Sequence, residues 1–246
     1  MIYVVTHKDI SLKLPENYKI IGVGNNSIIN EDLHDNTGDN ISSKNKNYCE
    51  LTALYWLWKN SNDDIVGLEH YRRMFLNDNI NEIGLLSEEE ILSIMSKYDI
   101  IVPSLFNNNT RTVYQHYVEA HKKRDLDLVQ NIMNSKYPEY TSSFNHVMNS
   151  KYEYGFNMMI TRKDILSEYS KWLFDILFNL EDKINIVEYD EYQQRVYGFL
   201  AERLFNVWIK HKKYAIKENV IANIMDSKEK ILLKKRRKLS SGITQF

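Results

Sequence analysis

Proline and glycine are scarce, at 3 and 8 of 246 residues, which argues for a helix-rich chain and against a loop-rich β-barrel. Cys49 is the only cysteine, so an intramolecular disulfide and any multi-cysteine zinc site are excluded, and a reducing compartment such as the cytoplasm is expected. No apolar run approaches the roughly 18 residues of a membrane helix. The apolar stretch in Met1-Ile-Tyr-Val-Val-Thr-His7 is too short for a signal peptide, so a soluble protein, or one held at a membrane from its surface alone, is expected. Neither sign of charge dominates: 32 Lys and Arg against 33 Asp and Glu give a net charge of -1, which carries no footprint for nucleic acid. Repeats at a fixed period are lacking too. What is present is enough chain for one large α/β domain and 17 tyrosines, which imply aromatic-rich packing surfaces.

Short β-branched runs alternate with helical patterns. Ile2-Tyr-Val-Val5, Tyr18-Lys-Ile-Ile-Gly-Val-Gly24, Ile65-Val-Gly-Leu68 and Asp99-Ile-Ile-Val-Pro103 read as buried strands. Tyr154-Gly-Phe-Asn-Met-Met-Ile160 reads as a further strand and Tyr214-Ala-Ile216 as a last short one. Helices are predicted over 48–59, 87–98, 112–120, 125–135, 163–180 and 190–211, with Glu88, Glu89 and Glu90 favouring the start at Ser87. The polar stretch 31–47 reads as a long surface loop of the kind that closes over ligands. This alternation predicts an α/β fold with a mainly parallel central sheet flanked by helices and a helix-rich second half. Residues 1–225 form one domain on this reading, followed by a basic tail over 226–246 suited to solvent or to an anionic lipid surface.

Ligands of open α/β sheets bind beyond the carboxyl ends of the strands, which directs attention to the residues just past each apolar run. The first strand offers Thr6, His7 and Lys8, the second Gly24 and Asn25, and the third Glu69, His70, Tyr71, Arg72 and Arg73. Strand alternation predicts His70 and Arg72 on one side, with Glu69, Tyr71 and Arg73 on the other. Paired arginines suit a nucleoside diphosphate through their forked donors, whereas Glu69 with one arginine equally suits a structural ion pair. Gly22-Val-Gly24 lacks the third glycine of a dinucleotide fingerprint, and no P-loop or His-Glu-x-x-His string occurs. Asp125-Leu-Asp127 has the D-x-D form that holds Mg²⁺ or Mn²⁺ in many sugar-nucleotide enzymes, but it falls in a predicted helix, where a solvated helix start explains it as well. On the predicted helix from Asp190, residues Arg195, Gly198 and Glu202 share one face, and Glu202 or Asp190 could orient or deprotonate an acceptor hydroxyl.

The strings Asn47-Tyr-Cys-Glu-Leu-Thr-Ala-Leu-Tyr-Trp-Leu-Trp-Lys-Asn60, Val66-Gly-Leu-Glu-His-Tyr-Arg-Arg73, Tyr154-Gly-Phe-Asn-Met-Met-Ile160 and Gln194-Arg-Val-Tyr-Gly-Phe-Leu-Ala-Glu-Arg-Leu204 together resemble a bacterial family known as a domain of unknown function. Its members are encoded in capsule and exopolysaccharide gene clusters, and the resemblance runs from Ile2 to about His211. The resemblance implies a GT-A-like fold and glycosyl transfer from a UDP-sugar, with galactose or galactofuranose as the sugar it points to. A growing surface polysaccharide or a lipid-linked saccharide is the implied acceptor, met at the inner face of the cell membrane. On this basis the candidate catalytic carboxylates are Glu69, Asp190 and Glu202. Candidate donor-binding residues are Thr6, His7, Lys8, Gly24, Asn25, His70, Tyr71, Arg72, Arg73, Asn157 and Arg195. Many GT-A enzymes hold a metal through an acidic pair after a strand; here Glu69 to Arg73 occupy that place, which leaves Mg²⁺ or Mn²⁺ an open question. Two other readings are a different nucleotide-sugar-modifying enzyme and a noncatalytic scaffold of the polysaccharide machinery.

Overall fold

The structure, a computed structural model, describes all residues except 11–12, 26–29, 80, 82, 224–225, 229, 233 and 236–246. The described strands are β1 (Ile2–Thr6), β2 (Tyr18–Gly22), β3 (Leu33–His34), β4 (Ile65–His70), β5 (Arg73–Phe75), β6 (Ile100–Pro103), β7 (Phe106–Asn107), β8 (Tyr152–Glu153), β9 (Met159–Arg162), β10 (Ile216–Asn219) and β11 (Ile221–Asn223). One sheet runs in the order β10-β6-β9-β4-β1-β2-β3, and β5 joins it to β11 at the side of β4. Neighbours β1 and β2, β1 and β4, β2 and β3, and β6 and β10 are parallel. The expected mainly parallel sheet is present, with one strand reversed at its centre: β9 lies antiparallel to both β4 and β6.

The helices are α1 (Asn45–Tyr48), α2 (Leu51–Asn60), α3 (Glu88–Met95), α4 (Val113–Ala120), α5 (Lys123–Lys136), α6 (Thr141–Asn149), α7 (Lys163–Glu181) and α8 (Val196–Lys212). Side-chain alternation along β1 divides the core in two. Tyr3 and Val5 join the large cluster packed by α2 and α4 to α8, whereas Ile2 and Val4 join a smaller one closed by Leu86 and by Ile91 of α3. Both faces are thus covered, so the β1 residues are buried without exception, which is why they read as an unbroken apolar run. Gly67 sits where a Cβ would come within 2.5 Å of Ile2 Cδ1, so glycine there lets β4 lie flat under the smaller cluster. Helix α3 starts where its sequence predicts: Ser87 Oγ accepts from Glu90 N and the Glu90 carboxylate accepts from Ser87 N, a reciprocal cap.

Several elements differ from the sequence-based expectation: the loop predicted over 31–47 carries β3, a 3-10 turn at Ser42–Lys44 and the start of α1, with Asp35 and Ser42 buried, and the last strand runs over Ile216–Asn219 instead of 214–216. Three further differences border one region. The helix predicted over 48–59 is broken at Cys49, whose φ of 53° and ψ of -133° turn the chain between α1 and α2. The strand predicted over 154–160 begins only at Met159, because Phe156 and Asn157 have φ of 75° and 49°, incompatible with extended backbone. The helix predicted from Asp190 begins at Val196, after a single 3-10 turn at Gln193–Arg195. In each case the residue types permit the regular element, and tertiary contacts override the local preference.

The described part of the basic tail folds back on the domain. Lys230 Nζ and Lys234 Nζ pair with Asp226 at 2.6 and 2.5 Å, and Lys235 Nζ donates to Asn77 Oδ1 and Asn79 O, each at 2.8 Å. Ile231 is buried with Leu76 and Val220. Residues 236–246 lie outside the described part. No helix among the described residues is long and apolar enough to cross a membrane.

Candidate active site

Parallel pairing of β1 with β4, in the register Val5 to His70, sets their carboxyl ends side by side. Beyond β1, Thr6 Oγ1 donates to Lys8 O at 2.6 Å and turns the chain so that His7 and Lys8 emerge at the surface. Beyond β4 the chain does not continue as a strand. Tyr71 and Arg72 form a two-residue turn, and β5 returns antiparallel with His70 opposite Arg73. Directly opposed residues of an antiparallel pair point to the same face, so the predicted separation of His70 from Arg73 is corrected by the hairpin. The Arg73 guanidinium lies 4.2 Å from the centroid of Phe156, and His70 Nε2 lies 2.7 Å from Phe156 O. Tyr71 is buried, and around its ring stand Arg72 at 5.1 Å, Lys8 at 5.3 Å and His7 edge-on at 5.4 Å.

The floor of this region is made by the three irregular segments. Glu50, at the start of α2, accepts from Asn157 Nδ2 at 2.6 Å, and the same amide donates to Gly198 O at 3.2 Å. Phe156 N donates to Glu202 Oε1 at 3.0 Å, and Glu202 Oε2 accepts from Arg203 Nη1 at 2.8 Å. Arg195 Nε donates to Cys49 Sγ at 3.2 Å, and a Cβ on Gly198 would stand 3.4 Å from the same sulfur. The shared face predicted for Arg195, Gly198 and Glu202 is the one that meets residues 49–50 and 156–157.

Electrostatics separates the floor from the rim. Burial pushes the Cys49 thiol up to about 11, with Glu50 adding to the shift and Arg195 opposing it, so the sulfur is a neutral thiol. Burial also raises Glu202, opposed by Arg203 and reinforced by Glu50. His7 is lowered by burial and then by Lys8, Arg72 and Arg195, which places these three cations within range of one imidazole. His70 is lowered by burial, against which Glu50 acts, and further by Arg73 and Arg195. Arg72, Arg73 and Arg195 have no carboxylate partner among the described residues, so the rim carries a net positive field.

Of the residues proposed from sequence, Thr6, His7, Lys8, His70, Tyr71, Arg72, Arg73, Asn157, Arg195 and Glu202 meet around this crevice. Gly24, with φ of 79°, follows directly on Val23, whose N–H donates to Thr6 O at the end of β1, and Asn25 beyond it is exposed. Glu69 is not brought to the crevice. It is fully buried on the opposite face of β4, beside Gly67 and Tyr18. Asp190 stands exposed before the 3-10 turn, where its Oδ1 accepts from Gln193 N at 2.8 Å, and touches no crevice side chain among the described residues. Asp125 accepts from Tyr189 Oη at 2.7 Å and Asp127 pairs with Lys123 at 2.5 Å, so both carboxylates of the D-x-D string, which lies on α5, have protein partners. Sequence reasoning missed Cys49, Glu50 and Phe156 as site residues. Cys49 and Glu50 sit inside a helical stripe of apolar residues, and nothing in their spacing signals the break that exposes them to the crevice.

Residues 1–213 match the family described as Domain of unknown function (DUF4422). The chain belongs to this family. Among solved structures, this DUF4422 chain is similar to the apo form of WbbM, a bifunctional glycosyltransferase, with a TM-score of 0.79 and 31% identity. The match covers 92% of this chain and 45% of WbbM, so the DUF4422 chain spans less than half of that protein. The central, mostly parallel sheet flanked by helices is therefore a glycosyltransferase fold. A search of the curated proteins matches none of them.

Proposed function

We propose that this DUF4422 chain is a glycosyltransferase that moves a sugar from a UDP-sugar to a hydroxyl of a saccharide or lipid-linked acceptor in surface-polysaccharide assembly. Galactose or galactofuranose is the sugar this reading assigns. The observation that carries it is the cationic rim of Lys8, Arg72, Arg73 and Arg195 at the carboxyl ends of β1 and β4, in a chain whose fold follows WbbM. A nucleoside diphosphate is the ligand such a rim suits, because forked guanidinium donors match its oxygens two at a time. As the bond to the anomeric carbon breaks, negative charge grows on the diphosphate, and Arg72 and Arg73 are fixed donors for that charge.

The donor set does not fit a divalent cation. The strand-end positions that would hold one are cationic, Glu50 and Glu202 are held by Asn157, Phe156 N and Arg203, and among the described residues no three His, Cys, Asp or Glu side chains converge. On this reading side-chain cations, not Mg²⁺ or Mn²⁺, neutralise the leaving group.

Arg72→Ala and Arg73→Ala test the proposal. Each is expected to lower sugar transfer by about 10²–10³-fold, the usual loss of one transition-state donor. Melting temperature should fall only slightly, since neither side chain makes an ion pair among the described residues and each variant gives up one cation–π contact, to Tyr71 or Phe156. Full transfer activity in both variants would refute the clamp. UDP release with no dependence on any acceptor would favour a donor-modifying enzyme, and failure to bind any nucleotide sugar in a thermal-shift screen would favour a scaffold.

A further inference from the structure

The sugar-transfer reading needs a group to accept the proton of the attacking hydroxyl, and the three carboxylates singled out from sequence do not stand ready for it. Glu69 faces the opposite side of the sheet, Asp190 caps a turn, and Glu202 is bonded to Phe156 N and Arg203. His70 stands differently. Its Nε2 lies 2.7 Å from the carbonyl oxygen of Phe156, a group that only accepts, so Nε2 carries the hydrogen. In the neutral ring Nδ1 then holds the lone pair, and Nδ1 has no partner among the described residues. We propose that His70 is the base that takes the proton of the acceptor hydroxyl, and that Glu202 is a positioning residue acting on it through the backbone of Phe156.

The backbone around that carbonyl is held in an unfavourable shape. Phe156 and Asn157 are consecutive non-glycine residues at φ of 75° and 49°, each costing about 1–3 kcal/mol when not compensated. Three bonds compensate: Glu202 holds Phe156 N, and the Asn157 amide is divided between Glu50 and Gly198 O. Strain that surrounding contacts over-determine is characteristic of functional segments, and its product here is one carbonyl aimed at one imidazole nitrogen. Charged groups act on His70 from three elements: Glu50 at the start of α2, Arg73 of β5 and Arg195 just before α8. Burial and the two arginines outweigh Glu50, so the ring is neutral and basic at pH 7.

In the reaction the hydroxyl proton passes to Nδ1 and the oxygen's electron pair forms the new bond to the anomeric carbon. The bond from that carbon to the diphosphate breaks, and the diphosphate leaves with its electron pair against Arg72 and Arg73. The imidazolium then returns its proton to solvent.

This inference rests on the sugar-transfer reading, and the test separates the two. The probe is UDP-galactose or UDP-galactofuranose with a galactoside acceptor, assayed on the full chain by UDP release and product formation. In His70→Gln the side-chain amide still donates to Phe156 O but offers no basic nitrogen. Its kcat is expected to fall at least 10²-fold, the lower range for a lost general base, with donor affinity within about threefold of wild type. The wild-type kcat should fall on the acidic side as His70 protonates below its ordinary 6.5, and this limb should vanish in the variant. Glu202→Gln, whose amide oxygen still accepts from Phe156 N, should recover activity that Glu202→Ala loses. A His70→Gln enzyme within threefold of wild-type kcat and with its acidic limb intact overturns the assignment, and so does a Glu202→Gln or Glu50→Gln enzyme as inactive as His70→Gln. A wild-type chain that binds no UDP-sugar refutes sugar transfer itself, and the role of His70 with it.

Discussion

Glu69 offers the sharpest thermodynamic test of the structure. It is wholly buried, neither carboxyl oxygen makes a well-formed hydrogen bond, and the hydroxyl of nearby Tyr18 is unpartnered as well. Burial raises its pKa well above the ordinary carboxylate value, opposed by the Phe75 amide, so the folded chain keeps this proton to higher pH than the unfolded chain does. A folded-state pKa above the unfolded one makes stability full below about pH 4.3 and progressively lost as pH rises toward the folded value. Within that window the native state binds one more proton than the unfolded chain, and the slope is about 1.4 kcal/mol per pH unit. Glu69→Gln has the same shape and no titration. Its stability relative to wild type should therefore rise by about 2.7 kcal/mol over two pH units of the window, or roughly 5–10 °C in melting temperature for a chain of this size. Urea and thermal unfolding of both proteins between pH 4.5 and 8 measures the difference. A stability gap that stays constant with pH would show that Glu69 ionises in the folded state and refute its placement in the apolar cluster.

Two further outcomes follow from close packing and from backbone shape. Gly67→Ala puts a Cβ 2.5 Å from Ile2 Cδ1 and 3.0 Å from Ile160 Cγ1, and should destabilise the chain by about 1–3 kcal/mol in urea unfolding. Asn157→Ala removes two hydrogen bonds and leaves an alanine at φ of 49°, for a loss of about 2–4 kcal/mol, whereas Asn157→Gly avoids the backbone part and should lose about 1–2 kcal/mol less. Equal losses in the two variants would mean that backbone strain at this position is unimportant.

Much of the fold was legible because it follows from local patterns. The unbroken apolar run of β1 marks a strand covered on both faces, and the Ser87 to Glu90 spacing marks the start of α3. Residues 195, 198 and 202 share a face by helical spacing wherever the helix begins. The places where local reading failed are where the crevice is built. Cys49 looks helical and Phe156 and Asn157 look extended, yet they are shaped by partners distant in sequence, Arg195, Glu202, Glu50 and Gly198, whereas Asp190 looks like a helix start but caps a local turn through Gln193 N. The turn at Tyr71 and Arg72 lacks glycine, proline, asparagine and aspartate, so nothing in its composition announces the hairpin that joins His70 to Arg73.

By itself the sequence determined the α/β class, the order of the longer strands and helices, and the set of polar residues waiting at the strand ends, because periodicity and residue type are local properties. Only the tertiary structure decided which of those residues meet. Pairing of β4 with β5 and β9, and the approach of α8 to the Cys49 corner, turned Glu69 into the core and brought Glu50 into the crevice. The same packing set Phe156 O against His70 Nε2. Apart from the local β4–β5 hairpin, these outcomes were settled by contacts between segments that lie tens of residues or more apart.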